Sequence, residues 1–478
     1  DDIFSTYTGQ FITVTGIPSC VTGDTEVLMR DGSTKQIKDI IIGDEIVSIS
    51  KEYKAENDVV INKWNSGIKD VYELKLQSGK TIKATKEHGF LSFDGWRRFK
   101  NINIGDFIAV KNNVEFDSNT INVDIIKLAA LWIAEGNKNH NSFYFSSSLE
   151  ELILDVKDIC RRNGLRYSHD GKYGHIISEI KKLSTDKKRY ISNMSYTYRK
   201  RNGVSFEESV LMAEKKYNKR IKDKNSLFNP MDVLNKLGLI GMKTDTLRVP
   251  NEILKQNNDN VAHFLNYLFA CDGWFYGEMI GYSSNSKGLC LDVSSLLSRF
   301  GITSYVNLKK VKYNGGINDS YVVNINGYDN VKIFRDKIGI IGKNDRIDKY
   351  LSGCKNIVSS KLRDYVPSSV KTDFIHGDKY YKKNFGFHIS KNDKSKKRFS
   401  RKLASIIAHH ENNTELINKT SNNVRWEQVV GITYLGKVET YDIEVKKNHN
   451  FIANEIVVHN SGKSDWVDEM CIGYNKLY

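Results

Sequence analysis

Two groups of short strand-like runs, far apart in the chain, most constrain what this sequence can fold into. The first group covers residues 20 to about 115, with runs such as Val71–Leu76 placed between turn signals such as Gly43-Asp44. The same pattern resumes near Val424. Apolar, β-branched runs between Gly, Asp and Ser turns are typical of antiparallel sheets. We therefore predict one all-β domain that is split by a long insertion.

The insertion, about residues 119–421, has a mixed α/β pattern that contains two similar stretches. Each begins with an apolar helical pattern that ends in an acid and a glycine, at Ile125–Gly136 and at Val261–Gly273. Each continues with a strand-like run, at Ser142–Ser147 and at Met279–Ser284, and then with a second helical pattern. Apolar residues at a period of 3.6 predict the helices. The shared order of parts predicts an internal duplication.

The composition favours a nucleic-acid partner and a reducing compartment. The 478 residues suffice for roughly two to four domains. The net charge of +15 is typical of proteins that bind polyanions, although a merely basic surface is the alternative. The six cysteines form no C-x-x-C pair, which argues against a zinc site and a disulfide scaffold. No apolar run reaches the ~18 residues of a membrane span, so we expect no membrane partner.

The two ends of the chain together spell one phosphate-binding loop. Residues 16–19 and 461–464 join into G-I-P-S-S-G-K-S, a full match to G-x-x-x-x-G-K-[ST]. In such a loop, the backbone N–H groups of the joined segment that begins at Gly16 and continues to Gly462 bind phosphates. Lys463 reaches the terminal phosphates, and Ser464 holds Mg²⁺. A strand-like run before the loop and a helical pattern over 461–478 supply its usual context. We expect ATP and Mg²⁺ to bind only after the two halves are joined.

The residues that begin the intervening block provide a nucleophile at a peptide bond. The Cys20 thiol can attack the carbonyl of Ser19 and exchange the amide for a thioester. Thr85 and His88, in Thr-Lys-Glu-His, supply a hydroxyl and an imidazole that can protonate the departing amine. Asp442 can orient or activate Cys20 or a histidine. A lone Cys or His is more often structural, so the prediction depends on the whole arrangement.

The residues that end the block provide a second cleavage. The side-chain amide of Asn460 can attack its own carbonyl, form a succinimide and release the segment on its C-terminal side. His459 is adjacent and His449 lies upstream, so both can assist proton transfer. Ser461 offers a hydroxyl that can accept the acyl group from Cys20 before that release. Together these residues predict a block that removes itself and joins its flanks.

Four segments that carry these residues resemble the splicing blocks of inteins. The segments are Cys20–Val27, Gly79–His88, Val438–Asn454 and Ile456–Asn460. The resemblance implies a Hedgehog/intein-type β horseshoe, here split by the insertion. It also implies four steps that need no cofactor: an N–S shift at Cys20, transfer to Ser461, cyclisation of Asn460, and an O–N shift that joins Ser19 to Ser461.

Each of the two apolar helical patterns in the insertion has an acidic residue at its C-terminal end. If these helices lie side by side, Glu135 and Asp272 meet and can hold divalent cations against a scissile phosphate. Capping acids on two core helices are the alternative. The two segments resemble the paired motifs of LAGLIDADG homing endonucleases, with Glu135 where Asp is usual and Asn266 and Tyr267 where small residues are usual. The resemblance implies two pseudo-symmetric α/β repeats, Mg²⁺, and cleavage of double-stranded DNA at the uninterrupted host-gene site.

Basic runs in the insertion are expected to contact this DNA. Tyr196–Arg201 and Lys215–Arg220 mix basic and aromatic side chains, and Lys391–Lys402 is mostly basic. A solvated charged surface is the alternative for each run. Two further hypotheses stay open: a splicing element whose insertion binds DNA without cutting it, and an ATPase with an ordinary inserted domain and no processing.

The predicted division of the chain follows from these motifs. It comprises the N-terminal host fragment 1–19, the first part of the splicing domain 20–118, the endonuclease 119–355, an extra DNA-recognition subdomain 356–421, the second part of the splicing domain 422–460, and the C-terminal host fragment 461–478. The joined loop resembles the Walker A region of hexameric replicative DNA helicases. We expect a monomeric intein, a host that forms hexamers after splicing, and a cytoplasmic, reducing location in a microbe or phage-infected cell.

Overall fold

The computed structural model describes most of the chain. The described residues are 2–5, 11–14, 19–118, 120–139, 142–180, 187–222, 226–313, 316–353, 364–386, 389 and 398–460. The helix predicted over 461–478 lies outside them. In the N-terminal flank, β1 (Asp2–Ser5) pairs antiparallel with β2 (Phe11–Val14), which agrees with the predicted strand. Among the helices of the described ranges, none has the length and apolar content that a bilayer span requires.

The first part of the β domain consists of nine strands. They are β3 (Val21–Thr22), β4 (Glu26–Leu28), β5 (Thr34–Gln36), β6 (Glu45–Ile49), β7 (Ala55–Leu76), β8 (Thr81–Ala84), β9 (Gly89–Ser92), β10 (Gly95–Arg98) and β11 (Phe107–Lys111). β7 is much longer than the predicted run Val71–Leu76. The strand continues through polar residues such as Asn62 and Asn65 because a partner strand pairs with it over most of its length.

The first repeat of the insertion follows. Its elements are α1 (Val123–Glu135), β12 (Asn137–Asn139), β13 (Ser142–Ser146), α2 (Glu150–Arg162), β14 (Arg166–Asp170) and β15 (Gly174–Ser178). Four helices then lead to the second repeat: α3 (Lys187–Asn202), α4 (Phe206–Lys222), α5 (Pro230–Lys236) and α6 (Asn251–Leu254). The side chain of Asn122 caps α1 by accepting a hydrogen bond from the Asp124 N–H, which explains why the helix begins before the predicted Ile125.

The second repeat has the same element order. It comprises α7 (Asn258–Asp272), β16 (Gly273–Tyr276), β17 (Met279–Ser284), α8 (Lys287–Ser298), β18 (Ser304–Tyr313) and β19 (Gly316–Asn326), followed by α9 (Tyr328–Lys337) and α10 (Asn344–Gly353). The two sheets have matching strand orders, β12-β13-β15-β14 and β16-β17-β19-β18. Both halves of the insertion therefore have the shared order of parts from which the sequence predicted an internal duplication.

The central helices α1 and α7 pack against each other in one hydrophobic core. Tyr267, at a position where the motif that it resembles has a small residue, is buried and donates its hydroxyl to an Asp155 oxygen at 2.5 Å. Asn266 donates to the Ile338 carbonyl at 2.9 Å. Both larger side chains thus find polar partners within the insertion, and the contact between the two helices is kept.

The segment after the second repeat packs on the β domain. Its elements are β20 (Tyr365–Pro367), α11 (Asp378–Phe385), β21 (Arg398–Ser400), α12 (Arg401–His410) and α13 (Thr414–Ser421). Buried residues such as Tyr381 and Ile407 share one core with Phe93 and Trp426 of the β domain. Recognition of DNA by this segment stays a prediction.

Three last strands complete the β domain: β22 (Val424–Val445), β23 (Asn450–Ala453) and β24 (Ile456–His459). All three join strands of the first part in one twelve-stranded sheet. β22 runs antiparallel to β7, from the pair Val429↔Leu76 to the pair Val445↔Val60. The prediction of one β domain split by an insertion is therefore confirmed.

Candidate functional site

Thr85 forms hydrogen bonds with both the backbone N–H and the backbone carbonyl of Cys20. The Cys20 N–H donates to the Thr85 hydroxyl at 3.1 Å, and the Thr85 N–H donates to the Cys20 carbonyl at 2.9 Å. Thr85 directly follows β8, whose Ala84 pairs with Val21 of β3. The sheet therefore fixes the nitrogen of the Ser19–Cys20 peptide bond against a hydroxyl group.

His88 lies on the Ser19 side of the same bond. Its Nδ1 is 3.2 Å from the Ser19 hydroxyl, and its ring is fully buried. Burial lowers the pKa of His88 to about 3, an effect that a hydrogen bond to the Ser19 backbone opposes and the charge of His459 reinforces. His88 is therefore a neutral imidazole at physiological pH.

The Cys20 thiol is buried beside a carboxylate. Burial, followed by the charge of Asp442, raises the pKa of Cys20 to about 11, while hydrogen bonds to Ser66 and Thr440 oppose the rise. Asp442 lies on β22, next to Tyr441, which pairs with Val21. The thiol is therefore protonated at neutral pH, and a base must take its proton before the sulfur attacks.

A β-bulge places Ser66 opposite Cys20. The register of β22 on β7 shifts between the pairs Thr440↔Gly67 and Tyr441↔Asn65, which leaves Ser66 as the extra residue. Gly67 has φ +72°, and its carbonyl accepts a hydrogen bond from the Thr440 hydroxyl at 2.9 Å. Bulges often redirect a side chain next to an active site. Sequence reasoning missed Ser66 because the predicted strand-like run began only at Val71, whereas the observed strand begins at Ala55.

The C-terminal end of the block lies in the same sheet. The Asn460 N–H donates to the His449 carbonyl at 3.0 Å, and His459 Nδ1 lies 2.9 Å from the Asn460 carbonyl oxygen. Asn460 is buried. His459 thus contacts the carbonyl that the Asn460 side chain would attack, whereas His449 contributes a backbone oxygen. Ser461 lies outside the described residues.

Two further residues shape this end of the site and were missed from the sequence. The Trp96 and His459 rings meet edge to face, with centroids 4.8 Å apart. A Cβ on Gly89 would lie 2.8 Å from the His459 Cβ, so only glycine permits β9 to approach β24 here. Because Gly89 directly follows His88, it brings the two ends of the block into one centre.

A family model of the intein splicing domain matches residues 27–460, which is most of the chain. The chain belongs to the intein splicing family. The described residues bring together Cys20, Thr85, His88, Asp442, His449, His459 and Asn460 in the β domain of this intein.

Relatives of the intein include helicases that are longer than this chain. Replicative DNA helicase DnaB of Synechocystis sp. is 27% identical over 470 residues, which cover 93% of this chain and 50% of the relative. The DnaB of Rhodothermus marinus is 25% identical over 473 residues, with 93% and 46% covered. Among solved structures, a DnaB intein from Synechocystis sp. is 34% identical across 19% of this chain and 68% of that chain, with a TM-score of 0.19. The intein chain spans about half the length of the curated relatives it matches.

Glu135 and Asp272 end the two central helices of the insertion in the intein. Burial, followed by the charge of Glu135, raises the pKa of Asp272 to about 7, and burial raises the pKa of Glu135. The two helix ends are alike: a Cβ on Gly136 would lie 2.5 Å from the Trp132 carbonyl, and one on Gly273 would lie 2.5 Å from the Phe269 carbonyl. Glycine at both positions lets the chain turn directly into the next strand.

Lys343 is the basic residue next to the Glu135 and Asp272 carboxylates. The sequence analysis did not identify it. Its ammonium donates to the Ala270 carbonyl at 3.1 Å and the Gly273 carbonyl at 2.6 Å. Its charge lowers the pKa of Asp272, against the larger effects of burial and Glu135. Within the described ranges, no group of three or more His, Cys, Asp or Glu residues forms a metal cage. Two carboxylates alone still fit Mg²⁺, which usually keeps waters and binds substrate phosphates.

The basic runs fall on different elements. Tyr196–Arg201 lies in α3, and Lys215–Arg220 lies in α4. Residues 391–397 of the third run lie outside the described residues, and its last two residues form ion pairs. Arg401 pairs with Asp364 at 2.8 Å, and Lys402 pairs with Asp329 at 2.9 Å. These two cations are therefore engaged within the protein. α3 itself contains no acidic residue, and its Lys187 pairs with Glu214 of α4 at 3.8 Å.

Proposed function

We propose that the intein excises residues 20–460 autocatalytically and joins Ser19 to Ser461. One observation carries this proposal: Thr85 and His88 flank the Ser19–Cys20 peptide bond in the sheet that also holds His459 against the Asn460 carbonyl. Both bonds to be broken thus meet groups that polarise them. No cofactor is required, because every bond that forms uses an atom of the chain itself.

The first step exchanges an amide for a thioester. The Cys20 sulfur attacks the Ser19 carbonyl carbon, and the bond from that carbon to the Cys20 nitrogen breaks. The thiol proton ends on the released nitrogen. Asp442 is the base for the buried thiol, and the neutral His88 carries the proton toward the amine. The hydrogen bond from the Cys20 N–H to Thr85 positions the nitrogen that leaves the carbonyl and takes up the proton.

The remaining steps join the flanks. The Ser461 hydroxyl takes the acyl group from the Cys20 sulfur, which regains its proton. The Asn460 side-chain nitrogen then attacks its own carbonyl carbon, and the bond to the Ser461 nitrogen breaks as that nitrogen gains a proton. His459 stabilises the carbonyl oxygen during this step. The free Ser461 amine finally displaces the ester oxygen, which leaves an ordinary peptide bond.

Two variants of the full chain test these roles. Asn460→Ala should retain the thioester step, so that an added thiol releases the N-terminal flank. Cys20→Ala should release only the C-terminal flank. Gel and mass analysis of each precursor separates the two outcomes, and N-terminal release from Cys20→Ala would contradict the role of the thiol.

A second function is supported by the carboxylate pair. We propose that the insertion is a homing endonuclease that cuts double-stranded DNA in copies of the host gene that lack the intein. Glu135 and Asp272 end paired helices of two matching repeats, and burial raises the pKa of both carboxyl groups, that of Asp272 to about 7. These two residues would hold Mg²⁺, which polarises the phosphate and neutralises charge in the transition state when bound. Lys343 lies beside them as an additional cation.

Cleavage of a plasmid that carries the uninterrupted host gene tests this second function. Mg²⁺-dependent double-strand breaks would support it. Binding of the same DNA without cutting would favour instead an insertion that only binds DNA. In either case, cleavage or binding alone, the basic helices α3 and α4 would contact the DNA phosphates.

The similarity to DnaB helicases supports a proposal about the host. After joining, Gly16, Gly462, Lys463 and Ser464 would form a loop that binds ATP and Mg²⁺, and a helicase host would assemble as a hexamer. These four residues lie outside the described residues. Nucleotide binding that is absent in the precursor and present in the spliced product would test this proposal.

A further inference from the structure

The hairpin that carries His459 has an unusual tip. β23 and β24 are joined by Asn454 and Glu455, whose φ angles are +48° and +70°. In a two-residue hairpin loop with two positive φ values, sterics favour Asn followed by Gly. Glu455 therefore occupies a position better suited to glycine. Its carboxylate must reach partners that offset this cost.

The partners of Glu455 come from both domains. Its Oε1 is 3.0 Å from the Lys111 ammonium of β11 and accepts a hydrogen bond from the Ser295 hydroxyl of α8 at 2.9 Å. Lys111 also donates to the Ser295 hydroxyl at 3.1 Å. Lys111 is almost completely buried. The hydroxyl of the insertion thus completes a buried triangle with the hairpin tip.

Asn454, the other residue of the tip, is connected to α8 by a chain of hydrogen bonds. The Asn454 side chain accepts from the Glu26 N–H at 2.8 Å, and the Glu26 carbonyl accepts from the Asn454 N–H at 2.8 Å. The Glu26 carboxylate receives two bonds from Arg248, at 2.9 and 3.0 Å. Arg248 also binds Asp292 of α8 through two bonds, at 2.7 and 2.8 Å. Two contacts of the insertion therefore converge on one two-residue turn.

Contacts at the tip are important for the position of β24, because β24 forms few pairs with strands other than its hairpin partner β23. β24 pairs with β9 at Val458↔Phe90 and with β11 at Val110↔Ile456, one residue pair each. A slip of one residue would turn every β24 side chain to the opposite face. His459 would then leave the Asn460 carbonyl. Contacts at the tip fix the register on which that geometry depends.

We infer that the insertion takes part in splicing, with Ser295 and Arg248 acting as positioning residues for cyclisation of Asn460. The inference rests on the proposed order of splicing and concerns only its C-terminal step. Cys20 directly precedes β3 and Thr85 directly follows β8, outside the β23–β24 hairpin, so the contacts at the tip should matter little for the thioester step.

Two substitutions loosen the tip without removing a splicing residue. Ser295→Ala deletes the hydroxyl of the triangle and leaves the Lys111–Glu455 pair. Glu26→Gln weakens the contact with Arg248 and leaves the Arg248–Asp292 pair inside the insertion. The matched control is Lys255→Ala, because Lys255 joins the two domains through Asp31 at 3.0 Å without reaching the tip.

The test separates the two cleavage reactions in the full chain. In a Cys20→Ala background, where only C-terminal cleavage occurs, the Ser295→Ala/Glu26→Gln pair should slow that cleavage about tenfold, since small misplacements of reacting groups are costly. In an Asn460→Ala background, thiol-induced N-terminal cleavage should stay within about twofold of the parent. Lys255→Ala should leave both rates unchanged.

Three results would overturn the inference. C-terminal cleavage as fast as in the Lys255→Ala control would show that the tip contacts do not position Asn460. Equal slowing of both cleavages would show general structural support rather than positioning. A Cys20→Ala parent without any C-terminal cleavage would contradict the expectation that Asn460 cyclises without a prior thioester, a failure of the proposed function that is distinct from the other two results.

Discussion

The splicing centre of this intein and the carboxylate pair of its insertion differ in how their polar groups are partnered. At the splicing centre, the reacting peptides already meet hydrogen-bonding partners: Thr85 at the Cys20 nitrogen and His459 at the Asn460 carbonyl. At the insertion, burial followed by the charge of Glu135 raises the pKa of Asp272 to about 7. The first centre holds polar groups against both scissile bonds as folded, whereas the proposed endonuclease centre would gain from an added cation.

This difference follows from where each substrate comes from. The splicing centre acts on its own chain, so its strands can position groups and bonds together during folding. The carboxylate pair would act on an external phosphate, and it must keep charge available for a metal and DNA. Such charge, which Lys343 balances only in part, costs stability, as is common at functional sites.

Removing one carboxylate should have the largest effect. We predict that Asp272→Asn lowers DNA cleavage at least ~1000-fold, because the metal loses a ligand. Since folding raises the pKa of Asp272 from 3.8 to about 7, this group destabilises the native state increasingly from pH 3.8 upwards and fully above pH 7. The same variant should therefore be more stable at pH 8 by up to roughly 4 kcal/mol, measured by thermal or denaturant unfolding.

Asp259→Asn, at the opposite end of the same helix, is the control for that prediction. It should change neither cleavage nor stability appreciably. A less stable Asp272→Asn would contradict the view that the two acids repel each other in the folded intein.

Loss of the Thr85 hydroxyl should have the next largest effect. In an Asn460→Ala precursor, Thr85→Val removes the acceptor of the Cys20 N–H at similar volume. We predict that thiol-induced N-terminal cleavage slows on the order of 100-fold, because the scissile nitrogen loses its positioned partner. Thr85→Ser keeps the hydroxyl and should stay within a few-fold of the parent. Equal rates for Val and Ser would indicate that the hydroxyl has no role.

The pH dependence of stability should sharpen the comparison further. Burial lowers the pKa of His88 from 6.5 to about 3, so its contribution to stability is present above pH 6.5 and is lost progressively as pH falls toward 3. We predict that a non-cleaving Cys20→Ala/Asn460→Ala chain loses roughly 2 kcal/mol from this group between pH 7 and pH 5.

His88→Gln should remove that part of the pH dependence, because glutamine does not titrate. Denaturant unfolding at several pH values compares the two chains. An unchanged slope in the His88→Gln chain would mean that the His88 imidazole does not resist protonation in the folded intein.

The sequence was most informative where local patterns agree with tertiary structure. The helices that end at Glu135 and Asp272 were predicted because their apolar periodicity is strong, and their starts were mistaken by a few residues because Asn122 and Asn257 were not read as caps. The length of β7 escaped prediction because its polar residues are held in the strand by pairing with β22 rather than by propensity.

The splicing residues were predictable because chemistry restricts them to the ends of the block and to one short motif. Trp96, Ser66 and Lys343 were missed for a common reason. Each reaches its site through contacts between segments far apart in sequence, and none lies in a pattern whose chemistry requires it. Only the fold shows that these side chains meet the reacting groups.

The intact mass of the protein after expression of the full chain under reducing conditions tests the central claim most directly. We predict two products: a free block of residues 20–460, and a ligated product in which Ser19 directly precedes Ser461. Persistence of the intact chain, or separate flanks without a ligated product, would contradict autocatalytic splicing at Cys20 and Asn460.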